Sequence, residues 1–347
     1  MTRTRSLLAT IAPLLALVAG LACRIQYPGQ PVEPGPQPPP SSSAPAGPTA
    51  IPRLVIVGPR PLSCPAGLCL QIYDPASGEY WADQPGIRGL TYQPGFVWQV
   101  LVEQDGGSSP AAWRVTQIVA QDLAAGEIVV ASPRVGEVFG GGDSLRGTVT
   151  VGPSDGRLVY RVYDAGGTLI GEGSIAVTPA DAGFASFESA IQFAEYEGPG
   201  RIEILDLFGS AGFVGGSTSV DLYLGMTAPP ESRPSARVLE SRGIYIDSPA
   251  RYSVSPPSFE VRGRVSLSPF ENTLGYHVFG ADGRLLNAGS LMVQAELGQP
   301  GIFAGPISAP ASYHGPLRLV IFEGSAADGL ILASATLDLF VDGGSRP

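Results

Sequence analysis

Two histidines, three cysteines and one acidic cluster are the residues whose types could carry chemistry in this chain of 347 residues. A Ser-His-acid arrangement needs a histidine within reach of a hydroxyl, which leaves His277 and His314 as its candidates. His277 stands between Tyr276 and Val278 in an alternating run and reads as an outward polar position. His314 precedes Gly315-Pro316 in a turn. Neither has a second His or Cys at zinc-ligand spacing. Gly209-Ser210-Ala211-Gly212 lacks the residue that a nucleophile elbow places between its first Gly and the Ser. Gly140-Gly141-Gly142 lacks the Lys and helix of a phosphate loop. Glu323, Ser325 and Asp328 could hold calcium, but their spacing matches no calcium loop, and a hairpin corner accounts for them better. The expectation is a non-enzymatic protein with no catalytic residue, cofactor or metal.

The cysteines divide by position. Cys64 and Cys69 form a close pair, read as a disulfide if the chain is exported and as two buried thiols otherwise. Cys23 closes a leader with Arg3 and Arg5 at its start and an apolar run from Leu7 to Val18, too short to span a bilayer comfortably. Gly20-Leu21-Ala22-Cys23 resembles a bacterial lipobox, which implies cleavage before Cys23, removing residues 1–22, and lipidation of Cys23; ordinary signal peptidase, releasing a secreted chain, is the alternative. Residues 24–51 form a tether with nine prolines between Pro28 and Pro48, reaching roughly 80 Å if extended at ~3.1 Å per residue. Export to the outer face of the cytoplasmic membrane or the cell surface follows as the expected location.

The folded part is organised by a repeat. Ser132-Pro133 recurs as Ser248-Pro249, an offset of 116 residues that also carries Arg146-Gly147 onto Arg262-Gly263, Tyr160 onto Tyr276, Gly167 onto Gly283 and Phe187 onto Phe303. One extra residue, expected near Gly315, shifts the register so that Arg201 falls on Arg318 and Asp221-Leu222 on Asp338-Leu339. Two copies of one domain are therefore expected, at 128–225 and 244–342, joined by a Pro-, Ser- and Arg-containing linker over 226–243. Each copy holds six or seven short runs of β-branched and aromatic residues separated by turn signals, the pattern of an immunoglobulin-like sandwich.

Residues 52–122 read as a small β domain whose last runs, Val97–Glu103 and Trp113–Val119, alternate so that one face is buried. Trp81, Tyr92, Phe96 and Trp98 could line a ligand groove, but aromatics filling a small core are the stronger reading. The combination of Cys64, Cys69-Leu70, Trp81, Ile87, Gly89, Tyr92 and Pro94-Gly95-Phe96 is similar to an uncharacterised lipoprotein domain found beside META-type heat-shock lipoprotein domains. That resemblance implies a fold and a location, with no activity attached. The two copies resemble the immunoglobulin-like domain of bacterial spore-germination and related surface lipoproteins, through Ser248-Pro249, Val261-Arg262-Gly263, Pro269-Phe270-Glu271-Asn272, Tyr276, Asp282-Gly283, Phe303, Glu323, Ser325 and Asp328-Gly329. The first copy has Gly152-Pro153-Ser154-Asp155 in place of the Phe-Glu-Asn segment, so a partner contact made there would belong to the second copy alone.

The fold expected is all-β: a small disulfide-containing domain followed by two immunoglobulin-like sandwiches. The formal charge is -10 and every basic residue is Arg, which leaves no electrostatic footprint for nucleic acid. The functional expectation is a lipid-anchored envelope protein that binds or scaffolds an envelope protein or polysaccharide, with Phe270, Glu271, Asn272, Glu323, Ser325 and Asp328 as its candidate surface. An extracytoplasmic protease inhibitor or folding factor acting through the Cys64–Cys69 loop is the alternative.

Overall fold

Five antiparallel strands form the first sheet: β1 (Arg53–Cys64), β2 (Gly67–Asp74), β3 (Glu79–Asp83), β4 (Phe96–Gln104) and β5 (Trp113–Leu123), in the spatial order β3-β2-β1-β4-β5. The computed structural model describes residues 52–65, 67–83, 87–104, 112–180, 184–209, 212–225, 242–327 and 330–342. The leader with Cys23, the tether, most of the linker and Asp328 lie outside the described residues. Alternation along β1 and β4 sends Val55, Val57, Trp98, Val100 and Val102 to one face, where they pack with Ile72 and Trp81. Tyr92 and Phe96 flank this cluster, so the four aromatics fill a core. Contrary to the one-sided expectation, the opposite face is also buried: Ile56, Tyr73 and Val97 meet Phe208 and Phe213 of the next domain.

Each repeat is a two-layer sandwich. The first contains β6 (Ile128–Ser132), β7 (Val138–Phe139), β8 (Ser144–Val149), β9 (Arg157–Asp164), β10 (Leu169–Pro179), β11 (Ala185–Ala190), β12 (Gly198–Phe208) and β13 (Phe213–Leu224). The second repeats them as β14 (Ile244–Ser248), β15 (Val254–Ser255), β16 (Ser258–Val265), β17 (Thr273–Gly280), β18 (Leu285–Gln294), β19 (Gly301–Ser308), β20 (Gly315–Gly324) and β21 (Ile331–Val341). The strand orders, β6-β8-β11-β10-β9-β12-β13-β7 and β14-β16-β19-β18-β17-β20-β21-β15, are identical position by position. Strand β10 changes layer along its length, pairing with β9 over Leu169–Ala176 and with β11 over Val177–Pro179. The cis Ser132-Pro133 and Ser248-Pro249 peptides lie where the chain leaves β6 or β14 and crosses to the other layer as β7 or β15.

The repeated residues are explained by contacts in which glycine makes room for a ring. A Cβ on Gly147 would lie 2.3 Å from Phe187 Cζ and from the Val129 oxygen; on Gly263 it would lie 2.2 Å from Phe303 Cζ and 2.3 Å from the Tyr245 oxygen. Across the neighbouring ladder Tyr160 covers Gly173, and Tyr276 covers Gly289. Any side chain at these glycines would displace an aromatic that fills the core. Tyr196 and Tyr313 form a further matched pair. The Tyr196 hydroxyl donates to the Pro199 oxygen at 2.9 Å and accepts from the Ala165 amide at 3.3 Å. Tyr313 does the same with Pro316 and with the Ala281 amide. Ile307 holds the core place of Ile191 at the earlier offset, so the extra residue falls between Ile307 and Tyr313, shortly before Gly315, near which it was expected.

The two sandwiches pack directly against each other through β12–β13 and β20–β21. Arg318, 5% exposed, donates to Asp338 Oδ1 at 2.9 Å, to Glu203 Oε1 of the first sandwich at 3.2 Å and to the Ser217 hydroxyl. Arg251 adds a second donor to Asp338 at 2.8 Å. Burial alone would push the Asp338 carboxyl up, but Arg318 and Arg251 hold it below the ordinary carboxylate range. The counterpart arginine behaves differently. Arg201 lies with its guanidinium carbon 3.5 Å from the Phe279 ring centroid and 4.7 Å from that of Tyr163, and donates to the Gly283 oxygen at 3.3 Å. Burial lowers its pKa, and burial raises that of Asp221, the counterpart of Asp338.

Removing one member of a buried ionic set leaves the others uncompensated, at a cost of about 3–5 kcal/mol. Arg318→Ala should therefore lower stability by about that amount in chemical denaturation. Adding Glu203→Leu and Asp338→Leu should recover most of the loss, because the stranded charges are then gone.

Candidate binding surface

Strand direction gathers three loops at one end of the second sandwich. Thr273 pairs with Met292, Gly275 with Phe322, and Val265 with Gly301. The loops at 266–272 and 295–300 and the described start of the third, 325–327, must therefore lie side by side, the arrangement by which sandwich domains of this class present loops to partners. The first loop ends in a short 3-10 turn, Phe270–Asn272. Glu271 and Asn272 have φ of 61° and 53°, left-handed values that side chains seldom adopt. Asn272 holds the turn by donating its Nδ2 to the Ala295 oxygen at 3.1 Å and by meeting the Ser268 hydroxyl through Oδ1. Phe270 is left 62% exposed. Met292, Leu297 and Ile302 are similarly open to solvent; Met292 and Ile302 face outward on adjoining strands.

Not every expected member of this surface faces solvent. Glu323 is 4% exposed because its carboxylate pairs with Arg242, at the point where the linker enters the domain. It is a buried anchor, and its place in the candidate surface is corrected accordingly. Ser325 is half-buried, its amide donating to the Leu330 oxygen at 2.7 Å and its hydroxyl accepting from Ala327 at 3.3 Å. The structure thus keeps Phe270, Glu271 and Asn272 together at this end and adds three apolar side chains that sequence patterning did not single out. Their signal was available as apolar residues at the outward positions of alternating strands.

The corresponding end of the first sandwich is occupied. Phe208 and Phe213, which flank its β12–β13 turn, pack into the first sheet against Ile56, Tyr73 and Val97. Asp206 Oδ2 accepts from the Ala125 amide at 2.5 Å, and Arg60 of β1 donates to the Gly215 oxygen at 3.0 Å. The first sheet also touches the second sandwich, but at its other end: Leu62, Cys69 and Ala82 pack with Phe340, and the Ser63 amide donates to the Tyr252 oxygen at 3.0 Å. Cys64 and Cys69 are joined as a disulfide closing the β1–β2 hairpin beside this contact; Leu68 at its tip is exposed.

The histidines occupy dissimilar places. The His277 ring lies 4.8 Å from Phe322 and 5.7 Å from Phe279, centroid to centroid, and burial followed by the nearby Arg201 charge lowers its pKa. It is more enclosed than its expected outward position, because its neighbours on β17 and β20 are rings. His314 Nδ1 stands 3.9 Å from Asp342 Oδ1. Ser210 and Ala211 lie outside the described residues.

No protein-family model matches the sequence, and no curated protein matches it. Among solved structures the chain is similar to dimeric latent PorU from Porphyromonas gingivalis, at 9% identity and a TM-score of 0.23, with 84% of this chain and 30% of that one covered. It therefore spans less than a third of that protein's length. It is also similar to a chimeric titin Z1Z2–Z1Z2 tandem (12% identity, 62% of this chain and 98% of that one, TM-score 0.17). A marsupial T cell receptor is another such structure (7% identity, 61% and 98%, TM-score 0.22). The immunoglobulin-like class of the two sandwiches rests on the strand order and on the layer change of β10, which β18 repeats by pairing with β17 over Leu285–Met292 and with β19 at Val293 and Gln294.

Asp206 supplies a pH test of the joint between the first sheet and the first sandwich. Burial raises its pKa from the ordinary 3.8 to about 6, with the Ala125 hydrogen bond opposing the shift. A carboxyl whose folded pKa is raised contributes stability that is fully present below pH ~3.8 and is lost as pH rises through ~6, by up to ~3 kcal/mol. Asp206→Asn keeps an oxygen for the Ala125 amide. It should raise the melting temperature at pH 7–8 and flatten the dependence on pH between 4 and 6, read by thermal melts across that range.

Proposed function

We propose that this protein is a non-enzymatic cell-envelope lipoprotein, held by Cys23, which presents the loop end of its second sandwich to an envelope protein or polysaccharide. The observation that carries this reading is the contrast between two equivalent ends: the first sheet fills the β12–β13 side of one, while the other exposes Phe270, Met292, Leu297 and Ile302. Monomeric surfaces scatter their large apolar residues singly, so a group on adjoining loops and strands favours an interaction site. The leader and the lipobox-like Gly20-Leu21-Ala22-Cys23 favour export and anchoring. Residue similarity to surface-lipoprotein immunoglobulin-like domains points the same way.

A second reading keeps the Cys64–Cys69 hairpin as an inhibitory or folding-factor element, favoured by the exposure of Leu68 between the bridged cysteines. One capture experiment separates the two. The immobilised chain should retain a defined component of envelope extract; Phe270→Glu should abolish retention, whereas Phe184→Glu, at an exposed aromatic of the first sandwich, should not. Retention that survives Phe270→Glu but disappears with Cys64→Ala assigns the activity to the hairpin instead.

Anchoring has its own readout. Mass spectrometry of the mature N-terminus should find Cys23 as the first residue, carrying acyl groups on its thiol and amine. An unmodified N-terminus beyond Cys23 refutes the anchor and leaves a secreted protein.

A further inference from the structure

A cavity of about 500 Å³ opens where three parts of the fold meet: the β2–β3 hairpin, β9 with the adjoining 212 position, and the β17–β18 hairpin with the Tyr313–His314 turn. Small-molecule and oligosaccharide-sized ligands occupy concavities of about 300–1,000 Å³, most often at such junctions. Two rings stand in the wall, Tyr80 and Tyr313, with Tyr73 behind Tyr80 at a centroid distance of 4.5 Å. Tyr313 spends its hydroxyl on Pro316 and Ala281 and offers a ring. The Tyr80 hydroxyl makes no hydrogen bond to any described residue and offers a donor. Burial pushes the Tyr80 phenol well above its ordinary range and that of Tyr313 to about 12, so both stay protonated at physiological pH.

The charged groups in the lining are arranged for an anion. Arg284 is exposed and its guanidinium has no partner among the described residues; its hydrogen bonds are made by its backbone, the amide donating to Asp282 Oδ1 at 3.0 Å and the oxygen accepting from the Gly280 amide at 3.0 Å. Arg161 is fixed through Nε by Glu172 at 2.8 Å. These two guanidiniums and His314 face the cavity with Asp282 as the carboxylate in its wall, in a chain whose formal charge is -10. A guanidinium takes a carboxylate through two parallel hydrogen bonds, and aromatic rings cover the apolar face of a pyranose.

We propose that this cleft binds an acidic saccharide, a uronate-bearing oligosaccharide whose carboxylate meets Arg284 and Arg161 while Tyr80 and Tyr313 hold the sugar ring. The site is separate from the loop end of the second sandwich, and the two can fail independently. Titration calorimetry of the mature chain would use tetragalacturonate and a hyaluronan tetrasaccharide as probes and maltotetraose as the neutral control. At least one acidic probe should bind more tightly than maltotetraose. Arg284→Ala should weaken that binding about tenfold, as loss of a charged hydrogen bond does. Tyr80→Phe, which removes one hydroxyl and keeps the ring, should weaken it by about threefold or more, and Phe270→Glu should leave it unchanged. Acidic probes that bind no better than maltotetraose, or both cleft variants staying within about twofold of the parent, would overturn the assignment.

Discussion

A guanidinium taken out of water must recover its hydration from whatever surrounds it, and Arg318 is where this protein meets that demand in full. Its donors reach Asp338 within its own sandwich and Glu203 and Ser217 in the other. The arrangement is satisfied only when the two copies stand in one register. Apolar packing tolerates small slides, whereas a set of buried charges does not, since each displaced partner leaves an ion in a medium of low polarity. The first sheet can wedge between the end of one sandwich and the opposite end of the other because that register is fixed.

The copies meet through equivalent strands, as the halves of a symmetric dimer do, yet their chemistry has diverged. The position equivalent to Glu203 in the second copy is Val320. Arg201 accordingly stacks on Phe279 and Tyr163, leaving its Nε and Nη1, and Asp221 Oδ2, without hydrogen-bond partners. One half of the contact is ionic and saturated; the other is aromatic and only partly satisfied. Duplication within one chain permits this asymmetry, because each face now has a single, known counterpart.

Much of this was legible in the sequence where the signal was local or repeated. The offset located both sandwiches, and the alternation of Leu158–Tyr163 or Leu274–Phe279 found their central strands. Strands β7 and β15, with two residues each, carry too few residues for a period to show. Arg201, Arg318, Asp221 and Asp338 were visible as markers of the repeat, but a register says which residues correspond and not which faces touch. Glu323 failed for a related reason: Glu-Gly-Ser beside Asp-Gly reads as a solvated corner, and its partner Arg242 lies 81 residues away in the linker. The loop cluster that holds Phe270 followed from strand order. Its exposure depended on where the first sheet settles, which no local pattern encodes.

The position of β1 has a mechanical consequence. It is the central strand of its sheet, laddered to β2 and β4 on its two sides, and any load drawn through the residues before Arg53 enters the fold there. Such a load is borne in shear by two hydrogen-bond ladders at once, with no exposed edge from which to peel. Through the Ser63 amide and the Tyr252 oxygen it passes straight into the second sandwich, bypassing the connection at 226–243 altogether.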